Sequence, residues 1–179
     1  MSPSPQSAAT TIAILYRDHV EFAWRTARYL GIAPVDAQDV VHEVFIVVQR
    51  KIEDFDPERS ARAWIGGITR HVVLHHKRKH LRSERREARL EAPTDTTPPP
   101  DEAVSYREAE VFLADFLDSL PETKREAFVL GELERLTAAE IGEILGENPN
   151  TVASRLRSAR QAFQASVDRL DAVRRREGG

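Results

Sequence analysis

A chain of 179 residues carrying net charge -3, 41% apolar and 31% charged, is rich in surface for its length, which suits one average domain or two small helical ones rather than one thick core. It has no cysteine, so disulfides and thiolate metal sites are excluded. No stretch approaches the roughly 20 apolar residues of a membrane span, and the start MSPSPQSAATTIAI lacks a basic region before an apolar run, so the chain is expected to be soluble and cytoplasmic.

Helical periodicity dominates and no run of alternating β-branched residues interrupts it, which predicts an all-α fold. The first helix is expected from about Ile12 to Leu30, ending at Gly31 with Pro34 beyond, and the second from about Val35 to Glu53. After the turn-like DFDPERS a third runs from about Ala61 to Arg86. The stretch Glu91 to Ala103, with Pro93, Pro98, Pro99 and Pro100, cannot be helical and reads as an extended, flexible linker. The chain thus divides into a first module at 10–88, a linker at 89–104 and a second module at 105–174.

The second module begins with a helix from about Val104 to Ser119 and restarts with Pro121 in the first turn of the next, which breaks near Arg135. Thr137 and Glu140 have the spacing of a capping box and open a short helix to Leu145. A turn over Gly146 to Pro149 follows, with Asn150 as the expected cap of a last helix to about Arg174. Short helix, glycine-containing turn and longer basic helix is a helix-turn-helix pattern.

Charge is segregated along this acidic chain. Asn150 to Gln164 holds basic residues and no acidic ones, after a strongly acidic stretch from Asp101 to Glu147. At about 100° per residue Val152, Leu156, Ala159 and Phe163 share one apolar stripe, and Ser154, Arg157, Ser158 and Gln161 stand opposite, flanked by Arg155 and Arg160. Such a face can set arginines on phosphates and its central residues on base edges of a major groove. The third helix and its continuation carry a second basic stripe: Arg70, Lys77, Arg78, Lys79, Arg82, Arg85, Arg86 and Arg89 against Glu84 and Glu87. Its apolar arc is Trp64, Ile65, Ile68 and Val72, where Trp64 is either a core aromatic or a ring for stacking on an unpaired base.

On the second helix Val40, Val41, Val44, Val48 and Ile52 form a buried stripe, and Asp36, Asp39, Glu43 and Arg50 line the opposite face beside Ile46 and Val47. Carboxylates mixed with exposed aliphatics suit a protein interface. An acid/base pair is the enzymatic alternative, but a helix surface offers no cleft to perturb it. His71 with His75, and His76 with His80, have the spacing of helical metal pairs, yet carboxylates are scarce nearby and cations abundant, so neither metal nor cofactor is expected.

Three stretches carry a family resemblance: DAQDVVHEVFIVVQRK (Asp36 to Lys51), ARAWIGGITRHVVLHHKRK (Ala61 to Lys79) and Leu117 to Phe163, which ends in NTVASRLRSARQAF. In this order around a proline-rich linker they resemble regions two and four of a bacterial RNA polymerase sigma factor of the extracytoplasmic-function group. The resemblance implies a region-two three-helix bundle and a region-four helix-turn-helix. It assigns Asp36, Asp39, Glu43, Ile46 and Val47 to core polymerase, at the clamp coiled coil of the β′ subunit, with region four on the β flap. It assigns Asp56, Arg62, Trp64, Arg70, His71, Lys77 and Arg78 to the minus-10 element, the loop Asp54 to Arg62 capturing a flipped base. It assigns Thr151, Ser154, Arg155, Arg157, Ser158, Arg160 and Gln161 to the minus-35 element. Promoter DNA and an anti-sigma factor are implied partners, and no catalytic site is implied.

The chain departs from the family pattern in the minus-10 helix, where His71 follows Arg70 in place of an asparagine and His75 takes the place of an aspartate. Gln49 stands where a large aromatic is common, and Ala153 where a basic residue often sits. These departures bear on which promoter is read. The rival readings are a stand-alone helix-turn-helix regulator, which leaves the Asp39/Glu43 face idle, and a small metalloenzyme built on the histidines.

Overall fold

The computed structural model describes the backbone of residues 5–87 and 102–177 and the side chains of residues 10–80 and 108–176. The described residues form helices α1 (Pro5–Tyr29), α2 (Pro34–Arg50), α3 (Ala61–Glu87), α4 (Glu102–Ser119), α5 (Glu122–Phe128), α6 (Ala138–Leu145) and α7 (Pro149–Glu177). A 3-10 turn at Ile52–Asp54 follows α2, and a π turn at Val129–Leu133 extends α5. The linker expected at 89–104 lies outside the described residues except for the start of α4, as do the side chains of Arg82, Arg85, Arg86 and Arg89.

α1, α2 and α3 pack on one another around Phe22, Val40, Val44, Val48, Ile65, Val72 and Val73, all nearly inaccessible to water. The period-3.6 stripe of α2 is buried as expected, with Phe45 added to it. α2 ends earlier than the Glu53 expected, and Ile52 packs from the 3-10 turn instead. α1 begins at Pro5, ahead of the expected Ile12.

In the second module Phe116, Phe128 and Phe163 meet edge-on or tilted, with centroids 5.0–5.7 Å apart, joining α4, α5 and α7. The helix-turn-helix is closed by local chemistry. Thr137 and Glu140 form the capping box foreseen from the sequence. Gly146 ends α6 in the left-handed region at φ 66°, a conformation that costs glycine little and most other residues about 1–2 kcal/mol. The cap of α7 is Asn148 rather than Asn150: its Oδ1 accepts the Asn150 N–H at 2.8 Å, and Pro149 occupies the first helical position, where no N–H is missed.

The two modules are in contact. Phe116, Leu117, Leu120, Phe128, Val129 and Ala159 share one apolar cluster with the core of α1, α2 and α3. α6 crosses α3 where the latter carries Gly66 and Gly67: a Cβ on Gly66 would lie 3.3 Å from the Phe22 ring and 3.5 Å from Ile144. Absence of a side chain there lets the helices approach closely. Arg59 adds an exposed ion pair to Glu143 across the same contact.

Candidate nucleic-acid interface

The apolar stripe of α7 is buried, with Val152, Leu156 and Ala159 against α5 and α6 and Phe163 half-buried. That seating turns Thr151, Ser154, Arg157, Arg160 and Gln161 outward, while Arg155 and Ser158 are half-buried at the margins. Arg155 pairs with Glu147 at 2.9 Å and Arg160 with Glu132 at 2.7 Å. The Arg160 pair is open to water and of the kind that a phosphate can replace at small cost, and the Arg155 pair is partly buried. Arg157, at the centre, has no carboxylate partner among the described residues. This surface is convex, helical and cationic, the shape and charge that fit a major groove.

The cations of α3 are placed differently. Arg70 meets Glu126 of α5 in a two-pronged pair, Nε to Oε1 at 2.7 Å and Nη2 to Oε2 at 3.1 Å, and Glu126 is nearly inaccessible. Arg62 donates to the carbonyl of Glu134 at 3.1 Å and to its Oε2 at 2.8 Å, and its guanidinium lies 4.4 Å above the Phe22 ring. Arg25 of α1, at 3.3 Å, completes the neutralisation of the fully buried Glu134. Lys77 lies in a small cleft with Leu30, Val73, Glu122, Arg125 and Glu126. Burial lowers its pKa and the neighbouring Arg125 adds to that, against Glu122, Asp118 and Glu126.

So Arg70 and Lys77, read from the sequence as part of a phosphate-facing stripe, and Arg62, which the resemblance assigns to the minus-10 element, face the second module here and find carboxylates there. His71 and Arg78 are exposed on the same helix, and Asp56 is exposed in the preceding loop, its carboxylate accepting the Glu58 N–H at 3.0 Å. Trp64 is half-buried and tilted against Phe55 at 4.9 Å, a packed aromatic in this arrangement.

On α2, Asp39 and Glu43 are exposed and Asp36 half-buried. Ile46 and Val47 were expected to be exposed aliphatics and are half-buried, Val47 packing against the core because the 3.6 period carries it back toward α1 and α3. The exposed aliphatic of this helix is Val35, at 83%.

Glu126 and Glu134 were not among the residues singled out from the sequence, where they lie within the acidic stretch from Asp101 to Glu147. Glu134 turns inward because the π turn inserts one residue, its N–H reaching the Val129 carbonyl at 2.9 Å, and Arg135 beyond it takes a left-handed φ of 60°.

The Sigma-70 region 2 family model matches residues 15–83, and the model for Sigma-70, region 4 matches residues 107–163. The ECF RNA polymerase sigma factor SigC of Mycobacterium tuberculosis is 31% identical over 145 residues, covering 81% of this chain and 77% of that protein. SigE of Mycolicibacterium smegmatis is 31% identical over 161 residues; the match covers 89% of this chain but 62% of the relative, so the chain spans less than two thirds of that protein's length. In fold, the chain is similar to the sigma factor RpoE solved in complex with the anti-sigma factor NepR from Bartonella quintana, with a TM-score of 0.71, 20% identity, and coverage of 86% of this chain and 94% of that one. No described helix is long and apolar enough to cross a membrane. By its two sigma-70 regions and its identity to SigC, the chain belongs to the extracytoplasmic-function family of RNA polymerase sigma factors.

Proposed function

We propose that this chain is a dissociable specificity subunit that binds core RNA polymerase, works in the cytoplasm without a catalytic site of its own, and directs initiation to promoters carrying minus-10 and minus-35 elements. The observation that carries the reading is the α7 face: Arg157 without an acidic partner at its centre and Arg160 in an exchangeable surface pair, both held outward by a buried Val152–Leu156–Ala159 stripe, with Arg155 paired at the half-buried margin. Thr151, Ser154, Arg155, Arg157, Ser158, Arg160 and Gln161 read the minus-35 element. Asp56, Arg62, Trp64, Arg70, His71, Lys77 and Arg78 engage the minus-10 strand once the modules part.

Asp36, Asp39 and Glu43, with Ile46 and Val47 beneath them, dock on the β′ clamp coiled coil, and the second module meets the β flap. The domain division is region two at 10–88 and region four at 105–174. Net acidity and the pairing of Arg62 and Arg70 with Glu134 and Glu126 keep the free chain a weak DNA binder, so recognition waits for polymerase. An anti-sigma factor that holds the modules closed is the expected regulator, as the complexed fold relative suggests.

Adding purified chain to sigma-free core polymerase on a promoter library tests this. Sequence-dependent run-off transcripts are expected. Glu43→Arg should abolish core binding, whereas Arg157→Glu should keep core binding and lose about 1–3 kcal/mol of promoter discrimination at the minus-35 element. A chain that fails to bind core sinks the reading.

A further inference from the structure

The first turn of α2 and the C-terminal half of α3 bring together three ligand-type side chains that neither proposed DNA face uses. Asp36 Oδ2 lies 3.9 Å from His76 Nε2 and 3.8 Å from His80 Nε2, and the three atoms all lie within 4.8 Å of one another. Both separations are too long for hydrogen bonds. His76 Nε2 is buried with no hydrogen-bond partner among the described residues, and the two rings stand 4.9 Å apart at 42°. A buried ring nitrogen aimed at a second imidazole and a carboxylate, and satisfied by neither, calls for a cation between them.

We infer that Asp36, His76 and His80 form a binding site for a divalent transition-metal ion of the zinc class. Two imidazoles and one carboxylate suit zinc, cobalt or nickel rather than magnesium or calcium, which take oxygen ligands. Ligand bonds of about 2.0–2.2 Å to a tetrahedral ion place donor atoms roughly 3.3 Å apart, so the two edges from Asp36 to the histidines close by about half an ångström on binding. The i,i+4 spacing fixes both rings on one face of α3, and the fourth position stays open to water or to a partner atom. The carboxylate that the local sequence lacks comes from another helix, and of the three cations between the two rings in sequence Lys77 is turned into the cleft beside Arg125 while Arg78 and Lys79 are exposed. The exposed pair His71 and His75 has no such third ligand among the described residues.

A bound ion would tie α2 to α3 and draw the Asp36 carboxylate away from the row it shares with Asp39 and Glu43. The consequence for polymerase docking rests on the function proposed above; the binding of the ion does not.

Titration calorimetry of the metal-free full chain with zinc, and absorption with cobalt as the probe ion, test the site. One equivalent is expected, with the visible bands of four-coordinate cobalt. Affinity should fall more than about a hundredfold in Asp36→Asn and in His80→Gln, a loss larger than that for groups outside the ligand shell, and stay unchanged in His75→Gln. His80 is half-exposed, so its replacement leaves the core intact, and circular dichroism checks this. Absence of a bound equivalent, or equal affinity in all four proteins, overturns the site. If zinc binds but leaves affinity for core polymerase unaltered, the docking consequence alone is overturned.

Discussion

Glu134 is fully buried and its carboxylate meets two arginines from the other module, Arg62 at 2.8 Å and Arg25 at 3.3 Å. A carboxylate in that position tolerates burial only while a guanidinium group stays with it, since removing one side of a buried pair leaves the other uncompensated. Glu134→Gln keeps the volume and one acceptor but removes the charge. It should lower stability by about 1–3 kcal/mol, seen as a reduced urea midpoint at unchanged slope. Arg62→Met should cost less, because Arg25 still answers Glu134 and the methionine stem can cover Phe22. An unchanged midpoint in Glu134→Gln would show that the pair contributes nothing net, as exposed pairs often do.

At the scale of elements, α6 depends on its cap. The Thr137 hydroxyl accepts the Glu140 N–H at 3.3 Å, and Glu140 Oε2 accepts the Thr137 N–H at 2.8 Å. That backbone hydrogen bond is the main cause holding Glu140 below its ordinary value of 4.5, with burial opposing it. Because the folded value is the lower one, the stabilisation is complete above the unfolded value and is lost as pH falls from about 4.5 through the folded value. Thr137→Ala, which keeps that N–H and loses the hydroxyl cap, should cost about 1 kcal/mol at neutral pH and nearly as much near pH 3, whereas Glu140→Gln should differ from the parent less near pH 3 than at neutral pH, measured as paired thermal melts. This box and the Val152–Leu156–Ala159 stripe were legible in the sequence because both depend on spacings of four residues or fewer. The start of α7 was misplaced by two residues because Asn148 and Asn150 are equally good caps by type, and only Pro149 in the first helical position decides between them. Neither the π turn that buries Glu134 nor the Asp36–His76–His80 cluster could be read locally: one depends on packing against α1 and α3, the other joins residues forty positions apart.

Across the whole molecule the two basic helices looked alike in sequence and differ in the fold for one reason, which is what faces them. α7 looks outward over weak surface pairs, whereas α3 is covered by the second module through Ile144 on Gly66 and Gly67 and through Glu126 on Arg70. If the proposed minus-10 residues act on DNA, the cover must lift, and weakening it should unmask them without any polymerase. Ile144→Asp places an unpaired carboxylate against α3, and Glu126→Gln removes the anion that holds Arg70; each disfavours contact between modules more than the fold of either one. In the double variant, energy transfer between dyes on the two modules should fall. Affinity of the free chain for a forked minus-10 duplex should rise about tenfold, equivalent to about 1.4 kcal/mol, with a steeper salt dependence because more phosphates are met. Separation of the modules without any gain in DNA affinity would remove Arg62, Arg70 and Lys77 from the promoter-binding set and leave them as fasteners of the closed form.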